Sequence, residues 1–142
     1  MIFPVTLKSN SESDTKSIAN EFSQIIEDGM IICLNGNLGV GKTFFIKRVL
    51  ENFDVKNSNS PTFSIVNEHY GKKKFYHFDF YRINSEMELL DIGIEDYFND
   101  DEAIIFIEWS NLFPKVIPKK HLVLNIEIFD DDSRTFEFRN NE

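Results

Sequence analysis

At 142 residues the chain is long enough to bury one sizeable core and too short to carry a separate lid or receptor domain beside it. Its 42% hydrophobic content, with 15 phenylalanines, is that of a globular domain read as one unit over residues 1–142. An excess of 24 acidic over 15 basic residues, a net charge of −9, excludes a broad non-specific grip on nucleic acid, because that grip comes from Lys and Arg neutralising phosphates.

A lone cysteine, Cys33, rules out a disulfide framework and favours a reducing compartment. The N-terminal segment lacks the basic stretch and long apolar run of a signal peptide, and no apolar run nears the ~20 residues of a membrane span. The expected location is the cytoplasm, with no membrane partner.

Ile2 to Leu7 reads as a first strand, and the polar turn from Ser9 to Ser13 can cap a helix through Ser11, with Asp14 three residues on. Ile18, Phe22, Ile25 and Ile26 fall on one helical face, and Gly29 is the expected stop. Met30 to Leu34 is a short apolar run, hence a buried strand holding Cys33 as an inert structural thiol.

That strand leads into Gly36-Asn37-Leu38-Gly39-Val40-Gly41-Lys42-Thr43, which fits G-x-x-x-x-G-K-[ST]. Glycines let such a loop curl until successive N–H groups point at one centre, and a helix starting near Lys42 adds its positive end. Lys42 then reaches the β- and γ-phosphates of a nucleoside triphosphate, and the Thr43 hydroxyl is a ligand for Mg²⁺. A chance match in a glycine-containing turn occurs in roughly 0.5% of chains this long. The strand before the loop and the apolar-rich helix after it (Phe44, Phe45, Ile46, Val49, Leu50, ending near Asn52) reduce that chance further.

Residues 54–60 are polar and deliver Ser60-Pro61-Thr62-Phe63. Proline fixes its own φ and pushes Ser60 towards an extended shape, so Thr62 is presented at a defined place. A strand-leading turn is the simpler reading; the functional one brings the Thr62 hydroxyl to Mg²⁺ or the γ-phosphate, as in ordered switch segments. Phe63 to Tyr70 and Lys74 to Phe80 flank Gly71-Lys72-Lys73 as a hairpin. Asp79 falls inside an aromatic run, where a carboxylate needs a partner such as Mg²⁺ or Arg82. Lys72 to Lys74 reads as a solvated turn, with an RNA contact as the minor alternative.

Ser85 opens a short acidic helix with Glu88 at its third position and Met87, Leu89 and Leu90 as apolar contacts; Gly93 breaks it. Ala103 to Ile107, the second continuous apolar run, reads as a central strand covered on both faces. It ends at Glu108-Trp109, and ligands of open α/β sheets bind outside the carboxyl ends of the strands, so Glu108 lies where a metal or water ligand belongs. Pro114 and Pro118 mark an extended link, and residues 122–129 with 135–139 alternate as an antiparallel hairpin around the turn at Asp130 to Ser133. His69, His77 and His121 have no metal-ligand spacing.

Taken in order, GNLGVGKT, SPTF, HFDFYR, the segment from Met87 to Phe98, and IEW make the chain resemble the TsaE (YjeE) family, small bacterial P-loop ATPases that serve threonylcarbamoyladenosine formation on tRNA. The resemblance is firmest from Met30 to about Pro118. It implies a single-domain P-loop NTPase α/β fold with a mixed, partly antiparallel sheet and a C-terminal β-hairpin. It also implies slow Mg²⁺-dependent ATP hydrolysis and docking onto the TsaB–TsaD complex, with tRNA met only indirectly. Residue by residue, it implies nucleotide contacts from Asn37, Leu38, Gly39, Val40, Gly41, Lys42, Thr43 and Phe44, with Thr62 in the switch-like segment and Trp109 beside the nucleotide. Metal ligation falls to Thr43, Glu108 and Asp79, and catalysis to Glu108, Asp79 and Lys42. Phe44 departs from the second threonine of many relatives, removing a hydroxyl near the α-phosphate.

Two other functions share the loop. A small-molecule kinase would need an acceptor site and a lid, for which four arginines (Arg48, Arg82, Arg134, Arg139) and no long insert give little material. A nucleotide-gated binding module would use ATP to order residues 60–63 without essential turnover. The guanine-reading N-K-x-D is absent.

Overall fold

Ile31–Asn35 (β2) and Ala103–Glu108 (β5) carry apolar side chains on both faces, and such strands are stable only when covered above and below. In the computed structural model, which describes residues 1–37, 39–56 and 65–141, they lie side by side in parallel at the centre of one sheet. The remaining strands are β1 (Val5–Ser9), β3 (Val66–Tyr70), β4 (Lys74–Asp79), β6 (His121–Ile128) and β7 (Arg134–Asn141). The sheet order is β1-β7-β6-β2-β5-β4-β3. Its four inner neighbours, β6, β2, β5 and β4, run parallel, and the flanks are antiparallel: β6 with β7, β7 with β1, and β3 with β4. The C-terminal hairpin is therefore not the sheet's edge, because β1 adds on outside it.

Two helices cover one face. In α1 (Glu12–Ile25) the Ser11 side chain accepts the Asp14 N–H, and Asp14 in turn accepts the Asn10 N–H, satisfying donors that a helix start leaves orphaned. α2 (Lys42–Asn52) packs beside it, and Phe22 and Phe45 meet Phe136 and Phe138 of β7 in a fully buried aromatic cluster. The other face is covered by short pieces: α3 (Glu86–Asp91), α4 (Ile94–Phe98) and 3-10 turns at Phe80–Arg82, Ser110–Leu112 and Pro114–Val116. They close over Tyr76, Phe78, Ile105 and Ile107 with Phe80, Leu89 and Ile94. Among the described residues no helix is long and apolar enough to cross a membrane.

Several boundaries differ from expectation for local reasons. The first strand begins at Val5, since Pro4 has no N–H to give a ladder, and runs on to Ser9, whose hydroxyl meets Thr15 Oγ1 at 2.7 Å. The first helix ends at Ile25, before Gly29, because Ile26 turns extended to bury its side chain; the Gly29 N–H then bonds Ala103 O at 2.8 Å, setting up β2 beside β5. In α3 only Leu89 buries, while Met87 and Leu90 are exposed; Ser85 makes no side-chain cap, but Glu88 accepts the N–H of Asn84, the residue before the cap, and so holds the chain entering the helix. Pro114 opens a 3-10 turn instead of an extended link, as a residue with no N–H to lose can. The three lysines of the β3–β4 turn region are each tied to a carboxylate: Lys72 to Asp54, Lys73 to Asp28 and Lys74 to Asp100.

Candidate functional site

Pairing register brings the chemistry together. Parallel alignment puts Leu34 of β2 opposite Glu108 of β5, and Glu108 opposite Asp79 of β4, so three strands finish level and their carboxylates stand at the carboxyl end of the sheet. The glycine-rich loop leaves β2 at the same end and feeds α2, whose first N–H groups have no helical acceptor and no side-chain cap at Gly41. Gly36 permits the tight exit: a Cβ there would lie 2.7 Å from both the Ile126 carbonyl oxygen and a Val40 methyl. Gly41, at φ +107, holds a backbone shape that side-chain-bearing residues rarely adopt. Val40 points into the core at 2% exposure, leaving only its backbone to the loop.

Lys42 is 5% exposed, and its Nζ donates to Gly36 O at 2.6 Å while lying 3.9 Å from the centre of the Trp109 ring. Burial lowers its pKa, and the charges of Glu108 and Asp79 partly offset that shift. Glu108, also 5% exposed, receives a 2.7 Å hydrogen bond at Oε2 from His77 Nε2, and the Thr43 hydroxyl lies 3.4 and 3.5 Å from its two oxygens. Those last distances exceed a good O–H···O bond, so the hydroxyl is not committed to the carboxylate. Asp79 Oδ1 accepts the Tyr81 N–H at 3.0 Å, a turn closed by the side chain; Arg82, the expected partner, lines the cleft without bonding it.

Trp109 adopts φ +60, unusual for a bulky residue, which turns its ring back over Lys42 and against Tyr81. The next residue is anchored: Ser110 Oγ donates to Asn35 Oδ1, Asn35 Nδ2 to Asn125 Oδ1, and Asn125 Nδ2 to Glu137 Oε1, a polar chain across β2, β6 and β7. Arg134, at the start of β7, places Nη1 3.2 Å from where a Gly41 Cβ would be. Its Nε is buried without a hydrogen-bond partner, and among the described residues its guanidinium has no carboxylate.

The resulting cleft, about 660 Å³, is lined by Gly39, Gly41, Lys42, Thr43 and Phe44 on one side and Asp79, Tyr81, Arg82, Glu108 and Trp109 on the other. Loop N–H groups, a helix start and two cations suit a polyanion. The donors for a cation are oxygens: one hydroxyl and two carboxylates. Among the described residues no three His, Cys, Asp or Glu side chains form a protein-only cage. That donor set fits Mg²⁺, which typically takes one or two carboxylates and completes its shell with substrate phosphates and water.

Of the residues expected from sequence, Gly39, Gly41, Lys42, Thr43, Phe44, Asp79, Glu108 and Trp109 meet at this cleft, with Asn37 and Val40 in the same loop. Leu38 and Thr62 lie outside the described residues. Two residues were missed. His77 shares a strand face with Asp79, two positions on, and that period-2 relation was the available signal. Arg134 had none, since it arrives from the far end of the chain.

Comparison with known proteins places this arrangement. The profile of the family described as "Threonylcarbamoyl adenosine biosynthesis protein TsaE" matches residues 9–136. A Rickettsia typhi protein named tRNA threonylcarbamoyladenosine biosynthesis protein TsaE is 38% identical over 129 residues, covering 88% of each chain. The protein of that name from Bacillus subtilis is 35% identical over 127 residues, covering 88% of this chain and 78% of its own. The crystal structure of Bacillus subtilis YdiB superimposes with a TM-score of 0.81 at 26% identity, covering all of this chain and 88% of the other.

Proposed function

The chain belongs to the TsaE family, and from that premise we propose that it binds MgATP at the cleft, hydrolyses it slowly and so serves tRNA threonylcarbamoyladenosine formation through a TsaB–TsaD complex. The observation that carries the ATPase reading is the convergence of Lys42, Thr43, Asp79 and Glu108 at the level ends of β2, β4 and β5, beside the glycine-rich loop and the start of α2.

Phosphoryl transfer asks for little covalent chemistry, so the chain's work is positioning and charge. N–H groups from Gly39 to Phe44 hold the phosphates. Lys42 leaves the Gly36 carbonyl for the β- and γ-phosphate oxygens, helped by the Trp109 ring that steadies its charge. Arg134, without a carboxylate among the described residues, meets the phosphate chain or the base side of the nucleotide beside Gly41, where Phe44 brings no hydroxyl. Thr43, with Glu108 or Asp79, would hold Mg²⁺, which would supply charge to neutralise the phosphate oxygens. Of Asp79 and Glu108, the one not occupied by metal orients the attacking water.

The test is Mg²⁺-dependent ATP hydrolysis by the protein alone and with TsaB and TsaD, using Lys42→Ala as the blank. Turnover that the partners stimulate and the variant lacks is expected. Nucleotide binding without turnover in either setting would replace the ATPase with a nucleotide-gated binding module.

A further inference from the structure

The His77–Glu108 hydrogen bond is the most enclosed polar contact at the cleft, with His77 3% and Glu108 5% exposed. A carboxylate oxygen accepts, so Nε2 of the ring is the donor. His77 comes from the middle of β4, opposite Phe106 of β5, and reaches the end of the neighbouring strand, so its ring leans along the sheet towards Glu108. It is not itself among the residues that line the cleft. Its effect on anything bound there must pass through Glu108, whose two oxygens, among the described residues, otherwise make only the long contacts to Thr43.

We propose that His77 is a positioning residue: by occupying Oε2 of Glu108 it fixes the carboxylate's rotation, so that the oxygens facing Thr43 form one Mg²⁺-binding edge with the hydroxyl. This rests on the MgATP reading above. Without the bond, a glutamate with three rotatable bonds can swing towards Lys42, whose charge it already feels, and neutralise the charge meant for phosphate. The histidine thus keeps the acidic and basic halves of the cleft apart until ligand joins them. Partners that orient a metal ligand commonly matter by 10–100-fold in metal affinity or activity when removed.

The experiment compares His77→Phe, which fills the space without a donor, and His77→Gln, which keeps an amide N–H at similar reach. Both are measured for ATP affinity with and without Mg²⁺, for the Mg²⁺ concentration giving half-maximal effect, and for kcat. For His77→Phe the half-maximal Mg²⁺ concentration should rise, and kcat at saturating nucleotide fall, by about tenfold or more, with metal-free ATP affinity unchanged within about twofold; His77→Gln should recover most of both. Equal Mg²⁺ dependence in wild type and His77→Phe overturns the proposal, as does equal loss of metal-free binding in both variants, which marks a packing role. Lys42→Ala separates the two readings: if it binds and turns over ATP like wild type, the ATPase assignment fails whatever His77 does. If wild type binds MgATP without turnover, the Mg²⁺ increment in affinity alone decides the case for His77.

Discussion

Where β4 and β5 begin, Lys73 and Lys74 each meet an aspartate within 3.0 Å, Lys72 meets Asp54 at 3.4 Å, and Asp100 takes a second bond from the Tyr76 hydroxyl. Where the same strands finish, Lys42 and Arg134 have no carboxylate partner among the described residues, and Glu108 and Asp79 are held by a histidine ring and a backbone N–H. The first end is neutralised internally; the second keeps opposite charges a short distance apart. Size does not single out the cleft, since a cavity bounded by Met30, Lys120 and His121 among others is larger, at about 790 Å³. What singles the smaller cleft out is that Lys42 faces Glu108 and Asp79 there beside the glycine-rich loop, which is why a ligand is assigned to it.

The largest effect should follow from deleting the unpaired charge. Lys42→Ala is expected to lower turnover by at least about a hundredfold, the scale of removing a preorganised donor from developing charge, with little change in thermal midpoint because Lys42 holds only a loop carbonyl and a ring face. His121→Ala at the other end, where the ring bonds Pro118 O, is the matched control and should leave turnover intact. Parallel assays of hydrolysis and melting check both. Equal losses in the two variants would erase the distinction between the ends.

Second is Gly36→Ala. A Cβ 2.7 Å from the Ile126 carbonyl cannot be absorbed by a side-chain rotation, so the loop must shift against β6 and its N–H groups lose their common aim. Nucleotide affinity, read from quenching or enhancement of the single Trp109, should fall by about tenfold or more, the cost of an ångström-scale misplacement.

Third is Asp100→Asn at the neutralised end. Hydrogen bonds from Lys74 and then Tyr76 hold the Asp100 carboxyl below its ordinary value of 3.8. Because the folded value is depressed, the stability it gives is present above about 3.8 and is lost as pH falls through the folded value. Asp100→Asn should therefore lower the denaturation midpoint at pH 7, the gap to wild type should close in acid below about pH 4, and nucleotide affinity should not move. A loss of affinity would couple the two ends.

These expectations depend on features that differ in how far the chain discloses them. β2, the glycine-rich loop, α2 and β5 are legible because their signals are local: continuous apolar runs, glycine spacing and a helical stripe. Glu108 is legible in the same way, from its position just past a continuous apolar run. Opposite α1 and α2, the covering pieces are single turns too short for a 3.6-residue period to register, so the sequence does not tell Leu89, which buries, from Met87 and Leu90, which are exposed, and Pro114 reads as an extended link. The aromatic run around Asp79 shows that its carboxylate needs a partner, but a turn N–H two residues on does not show in composition. His77 and Arg134 needed strand register and the return of β7 beside the loop, both products of long-range pairing.

The smallest effect concerns Cys33, which lies on β2 between the two ends. Burial pushes its thiol up to about 11, against a lowering by the Ser110 hydroxyl, and it is 1% exposed. At pH 8 almost no thiolate exists, and no reagent reaches it in the closed fold, so labelling with a thiol-reactive disulfide should be slow and should proceed only through opening. Ser110 is tied to Asn35 and follows Trp109, so the opening that exposes Cys33 is a loosening at the carboxyl ends of β2 and β5. A nucleotide that bridges Lys42 and Glu108 should then slow labelling, whereas Asp100→Asn should change the rate only as much as it changes global stability. Labelling that is fast in the native protein and indifferent to MgATP would mean that the two halves of the cleft are not joined by ligand, and that the charges left unpaired there serve something else.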